Sequence, residues 1–224
     1  IPDPADREYE AFRDLLGKDV EPDELKPTIV KRSWDDIGNA ERLADHAGRQ
    51  IRWVIDAEKW AVYTGTHWAI EGGATLVLGH VRTMLDALPT TEALEYDDTP
   101  RLDGNGRPKP SIREDFLTFV GRQRFQTRMV AATVVARTIP RIQARMSQFD
   151  TDPMLLNCLN GVVDLRTGEL VSHKPELMLL SIAGAPYVPD AKAPMWTQFL
   201  ARVMPEQERR DYLARVVGYT LTGS

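Results

Sequence analysis

The sequence predicts an α+β fold, mostly helical, with two small antiparallel β-meanders. Helical apolar spacing runs through residues 74–94 and 112–145, the first observation behind that class. The second is a pair of short segments rich in β-formers, "IRWVIDAEKWAVYTGTHWAIE" (51–71) and "LLNCLNGVVDLRTGEL" (155–170), each broken by turn residues.

Taken in order, residues 1–32 are acidic and punctuated by proline, which reads as a leader or linker with one short helix from Asp6 to Gly17. Ser33 is placed to cap the next helix. Ile37, Ala40, Leu43, Ala44 and Ala47 then recur at helical spacing as far as Gly48. Segment 51–71 divides into three strands, joined by Asp56-Ala57-Glu58 and by Thr64-Gly65-Thr66. Between the two long helical tracts, "DDTPRLDGNGRPKP" has the composition of a mobile loop. Pro140 is expected to split the second tract, since proline breaks an established helix but suits a new first turn.

The second meander turns at Asn160-Gly161 and Thr167-Gly168. Asn-Gly tolerates positive φ at both centres of a type I′ hairpin, and a bulge glycine can close a type I turn. Gly161 and Gly168 are therefore structural turn residues. Two helices, "PMWTQFLARVM" and "PEQERRDYLARVVGYTL", end the chain. The organisation expected is a leader over 1–32, a meander with a helical, basic-faced region over 33–150, and a meander with C-terminal helices over 151–224.

The 224 residues are 42% apolar and 27% charged, enough to bury a sizeable core. No apolar run approaches the ~20 residues that span a bilayer, so no membrane partner is expected. A lone Cys158 excludes an internal disulfide and a cysteine-ligated zinc, which suits a reducing cytoplasm. A start at Ile1 and an end just past an apolar helical stretch suggest a piece of a longer protein.

Charge is unevenly placed. Residues 116–149 hold no Asp or Glu but carry Arg122, Arg124, Arg128, Arg137, Arg141 and Arg145, a local +6 within a net of −5. Arg124 with Arg128, and Arg137 with Arg141 and Arg145, recur every fourth residue and would line one helix face. Two readings stay open: phosphate contact with nucleic acid, or a face paired with acids or with another subunit.

Other chemistry is thinner. Asp150 with Asp152, and Asp97 with Asp98, resemble magnesium-binding pairs, but neither ends an apolar strand, and turn or cap roles fit better. His46, His67, His80 and His173 are scattered without ligand spacing. Trp53, Trp60, Tyr63 and Trp68 have the chemistry to stack bases, though alternation places them in a core. The phosphate-loop pattern fails at Gly17-Lys18, where Phe12 and Asp19 stand in its glycine and hydroxyl positions. No catalytic, cofactor-binding or metal-binding residue is assigned.

The succession "GNAERLADHAGRQIRWV", "KWAVYTGTHW", "LLNCLNGVVDLRTGEL", "APYVPDAKAPMWTQFL" and "YLARVVGYTLTGS" resembles the domain preceding the superfamily 3 helicase in phage, plasmid and poxvirus-type primase-helicases. The likeness extends from about Ser33 to Ser224. It implies an accessory domain in a replicative DNA primase-helicase, with other subunits of a homo-hexamer and the adjacent helicase and primase domains as partners. Single-stranded DNA would be the track. ATP and magnesium would belong to the helicase domain, outside this chain. The alternative is a purely structural domain linking primase and helicase without touching DNA.

Overall fold

A computed structural model describes residues 30–222. The helix expected over Asp6 to Gly17, and most of the expected leader, lie outside the described residues.

Helix α1 (Asp36–Ala47) is capped by Asp35, whose carboxylate accepts from the Gly38 N–H at 2.7 Å. This corrects the assignment of the cap to Ser33. The Ser33 hydroxyl instead donates to Asp35 at 2.6 Å and steadies the cap. Strands β1 (Ile51–Val54), β2 (Lys59–Tyr63) and β3 (Trp68–Ala69) form the expected meander. Helix α2 (Gly73–Ala87) follows, and its period continues only as 3₁₀ turns up to Glu95.

The segment expected to be a mobile loop closes as a small hairpin of β4 (Arg101–Leu102) and β5 (Pro108–Lys109). Asp103 makes it possible: its carboxylate accepts from the Asn105 and Arg107 amides, and Gly106 takes φ 77°.

Helix α3 (Ile112–Gln123) has a full capping box in Ser111 and Glu114. Helix α4 (Gln126–Ala136) begins after a break at Arg124-Phe125. The tract thus divides well before Pro140, which opens a 3₁₀ turn, and β6 (Gln143–Ala144) follows. Strand β6 adds to β1 in parallel, giving a four-stranded sheet in the order β3-β2-β1-β6. The first sheet is therefore a meander extended by a non-local strand.

Strands β7 (Leu155–Cys158), β8 (Gly161–Asp164) and β9 (Glu169–Val171) form the second, purely antiparallel meander. Cys158 pairs with Gly161, so the first loop is Leu159-Asn160 rather than Asn160-Gly161, and neither of those two residues has positive φ. Gly161 is required for another reason: a Cβ there would lie 2.6 Å from the Val171 carbonyl oxygen on β9. Gly168, at φ 75°, ends a four-residue loop and keeps the turn role expected of it.

The core lies between α1, α2, α3 and α4 and one face of the first sheet, with Leu43, Ile51, Val77, Val81, Leu85, Phe116 and Ile142 almost fully buried. Ile37, expected on that face, is exposed. A smaller cluster of Val54, Ala61, Trp68, Ala144 and Phe149 receives Met178 and Leu180 from beyond the second meander. Helices α5 (Pro194–Val203) and α6 (Gln207–Thr220) pack on each other and bury no residue. No helix among the described residues is long and apolar enough to cross a membrane.

Candidate nucleic-acid interface

The six arginines lie along α3, α4 and the segment after them, but not on one helix face. Arg124 is the C-cap of α3 and Arg128 belongs to α4, so the break separates the first expected stripe. Arg137 caps α4, Arg141 sits in the 3₁₀ turn and Arg145 follows β6, so the second stripe has no helix beneath it. Four-residue spacing fails here because the backbone changes conformation twice within nine residues.

Acids absent from the segment arrive from elsewhere in the fold. Arg124 pairs with Asp86 of α2 at 2.5 Å, Arg128 with Asp36 of α1 at 3.4 Å, and Arg141 with Asp45 of α1. Arg122, Arg137 and Arg145 have no carboxylate partner among the described residues. Arg122 and Arg145 are exposed. Arg137 is half-buried and holds its guanidinium 4.3 Å from the centre of the Trp53 ring, a cation–π contact at the negative end of α4.

The tryptophans of the first meander are mostly core. Trp60 and Trp68 are buried, and the Trp68 indole donates to the Pro175 carbonyl at 2.9 Å. Trp53 and Tyr63 are half-buried. A second aromatic group escaped the sequence reading: Trp34, 37% exposed, stacks on Phe119 at 5.9 Å and donates from its indole to Tyr96. Beneath it lies the buried pair of Arg42 and Glu92, joined by two contacts of 2.7 Å. Arg42 also donates to the Ser33 and Arg32 carbonyls, fastening residues 32–33 to α1. A lone tryptophan before a helix carries no signal of this; only the three-dimensional neighbours supply it.

The aspartate pairs take turn and cap roles. Asp150 accepts from the Leu180 amide, and Asp152 pairs with Arg166 at 2.7 Å. The Arg166 hydrogen bond, then the Met154 amide, hold Asp152 below the ordinary carboxylate range. Asp97 accepts from the Thr99 amide, and Asp98 pairs with Arg113. Among the described residues no group of three or more His, Cys, Asp or Glu could hold a metal ion. Burial pushes the His46 and His80 imidazoles down, and the neighbouring His46 charge pushes His80 down further.

The chain is thus a mostly helical α+β domain with two small meanders and arginines scattered over α3, α4 and the segment after them. The D5 N terminal like family matches residues 40–205, and the chain belongs to that family, the domain that precedes the helicase in primase-helicase proteins. Compared with curated proteins, the chain finds no significant match.

Proposed function

We propose that this chain is an accessory domain of a replicative DNA primase-helicase that connects the neighbouring domains and contacts single-stranded DNA. Its family membership supports the replication setting. The observation that carries the DNA contact is the division of the arginine segment. Arg124, Arg128 and Arg141 are neutralised by Asp86, Asp36 and Asp45, whereas Arg122, Arg137 and Arg145 keep their charge for a polyanion. Arginine suits this work because its planar fork gives a phosphate two hydrogen bonds and its face stacks on bases.

The connecting role draws support from α5 and α6, which leave Met195, Trp196, Phe199, Val203, Tyr212 and Tyr219 exposed. An uncovered apolar surface of this kind marks a protein contact. The adjacent helicase domain, or another subunit of a homo-hexamer, would cover it. ATP and magnesium would act in that helicase domain.

The test is binding of a labelled 20-residue oligothymidylate to the chain at low salt. Changing Arg122, Arg137 and Arg145 to glutamine should weaken it at least tenfold, roughly the loss expected when charged phosphate contacts disappear. The matched variant in Arg124, Arg128 and Arg141 should lose far less. Equal losses in the two variants would overturn the division of the arginines, and binding too weak to detect in the unaltered chain would leave it as a linker without DNA contact.

A further inference from the structure

A pocket of about 560 Å³ opens between the start of α1 and the second half of α3, with Trp34, Asp36, Phe119, Arg122, Gln123 and Arg128 in its wall. That volume lies within the range of small-ligand sites, roughly 300 to 1,000 Å³. Its aromatic side is fixed in advance. The Trp34 indole N–H donates to Tyr96 at 2.9 Å, its ring lies against Phe116 and Phe119, and the Arg42 guanidinium sits 5.8 Å from the Phe119 centre. The part of the indole left exposed is therefore a rigid stacking surface, which loses little freedom when something lies on it.

The polar side holds an amide used at one end only. Gln123 is 8% exposed; its oxygen accepts from the Asn39 Nδ2 at 3.0 Å, while its Nε2 has no acceptor among the described residues and is not sealed in the interior. A side chain so buried, fixed through its oxygen and open at its nitrogen, offers the pocket a donor in want of an acceptor. Three carboxylates border the same space, and two are engaged. Asp35 takes the Gly38 amide and the Ser33 hydroxyl, and Asp115 pairs with Arg101. Asp36 meets only Arg128 among the described residues, through one oxygen at 3.4 Å, so its other oxygen is open. Arg122, one turn along α3 from Phe119, has no carboxylate partner among them.

We propose that this pocket binds a guanine base, stacked on Trp34, with its N1–H and N2–H donating to Asp36, its O6 accepting from the Gln123 amide, and the attached phosphate on Arg122. The pattern of donors selects the base. Guanine alone carries two neighbouring N–H donors on its pairing edge, which one carboxylate accepts together, and a carbonyl beside them for Gln123. Adenine, cytosine and thymine each present an acceptor where the carboxylate needs its second donor. Charge agrees with this assignment: Arg128 offsets Asp36 and Arg101 offsets Asp115, which leaves Arg122 for the phosphate. A guanine of single-stranded DNA is the natural source, and this part of the inference rests on the DNA-contacting reading above.

The experiment follows the indole N–H resonance of Trp34 by nitrogen-15 NMR in the 224-residue chain, the peak being assigned by its loss in Trp34→Phe. The probes are the four deoxynucleoside 5′-monophosphates, deoxyguanosine, and a 12-residue oligothymidylate with and without one central guanine. Deoxyguanosine monophosphate should shift the resonance saturably, and the other three should bind roughly tenfold more weakly or worse, as should the guanine nucleotide in Asp36→Asn. Arg122→Gln should weaken the monophosphate more than the nucleoside. No saturable shift, equal affinity for all four nucleotides, or an Asp36→Asn variant that keeps the guanine preference overturns the site. If the oligothymidylate binds while no nucleotide shifts Trp34, the site falls and the DNA-contacting reading stands. If the guanine nucleotide shifts Trp34 but the guanine in the oligonucleotide does not, the site stands and its assignment to DNA falls. If the nucleotide shifts Trp34 and neither oligonucleotide binds at all, the DNA-contacting reading falls and the guanine site remains.

Discussion

At the scale of single residues, the buried pair of Arg42 and Glu92 is the least replaceable feature outside the apolar core. Both side chains are 3% exposed, and Arg42 serves two backbone carbonyls besides its partner. Removing the carboxylate by Glu92→Ala strands a buried cation, and stability should fall by about 3 to 5 kcal/mol in urea titration. A loss under 1 kcal/mol would mean that water reaches the pair. The two turn glycines differ in degree: Gly161→Val forces a Cβ against β9 and adds strain at φ 151°, whereas a Cβ at Gly168 makes only an ordinary contact with the Tyr187 hydroxyl at 3.7 Å and suffers mainly from φ 75°. Both should destabilise by roughly 1 to 3 kcal/mol, Gly161→Val the more, as thermal melting can read.

The histidines supply a pH dependence with a definite sign. His46 and His80 titrate in the folded chain below their ordinary value of about 6.5, so the unfolded chain binds more protons in that window. Stability is therefore complete above about pH 6.5 and declines as pH falls through it. His80→Gln should flatten the fall in melting temperature between pH 7 and pH 5.5; an unchanged slope would place its cause elsewhere.

At the scale of elements, local chemistry was legible and distant pairing was not. The three strands of each meander follow from β-formers broken by turn residues, and Ser111 with Glu114 marks the start of α3. Strand β6 could not be read, because two residues gain their identity only from β1, about ninety positions earlier. The arginine stripes failed for a related reason: a period of four implies a face only while the helix lasts, and α4 stops at Ala136. The acids that neutralise half of the arginines stand on α1 and α2, where sequence spacing has no reach.

Helices α5 and α6 provide the test proper to this scale. Their apolar side chains contribute nothing to the core, so Trp196→Ser with Phe199→Ser should leave the thermal midpoint unchanged, within the roughly 0.5 kcal/mol usual for surface changes. A marked drop would show that the helical hairpin packs on the rest of the domain.

At the scale of the whole molecule, a chain of net −5 repels a polyanion at long range, so the proposed DNA contact would depend on a few local, unneutralised cations. One domain would then bind weakly. Several copies in a ring would raise the effective concentration and multiply the contacts. The most direct measurement is the salt dependence of single-strand binding for the chain and for its Arg122→Gln, Arg137→Gln, Arg145→Gln variant. Each lost phosphate contact lowers the slope of log K against log salt by about 0.7, so the variant should lose about 2 units together with most of its low-salt affinity. An unaltered slope with unaltered affinity would contradict the account, because the strand would then be held without these arginines.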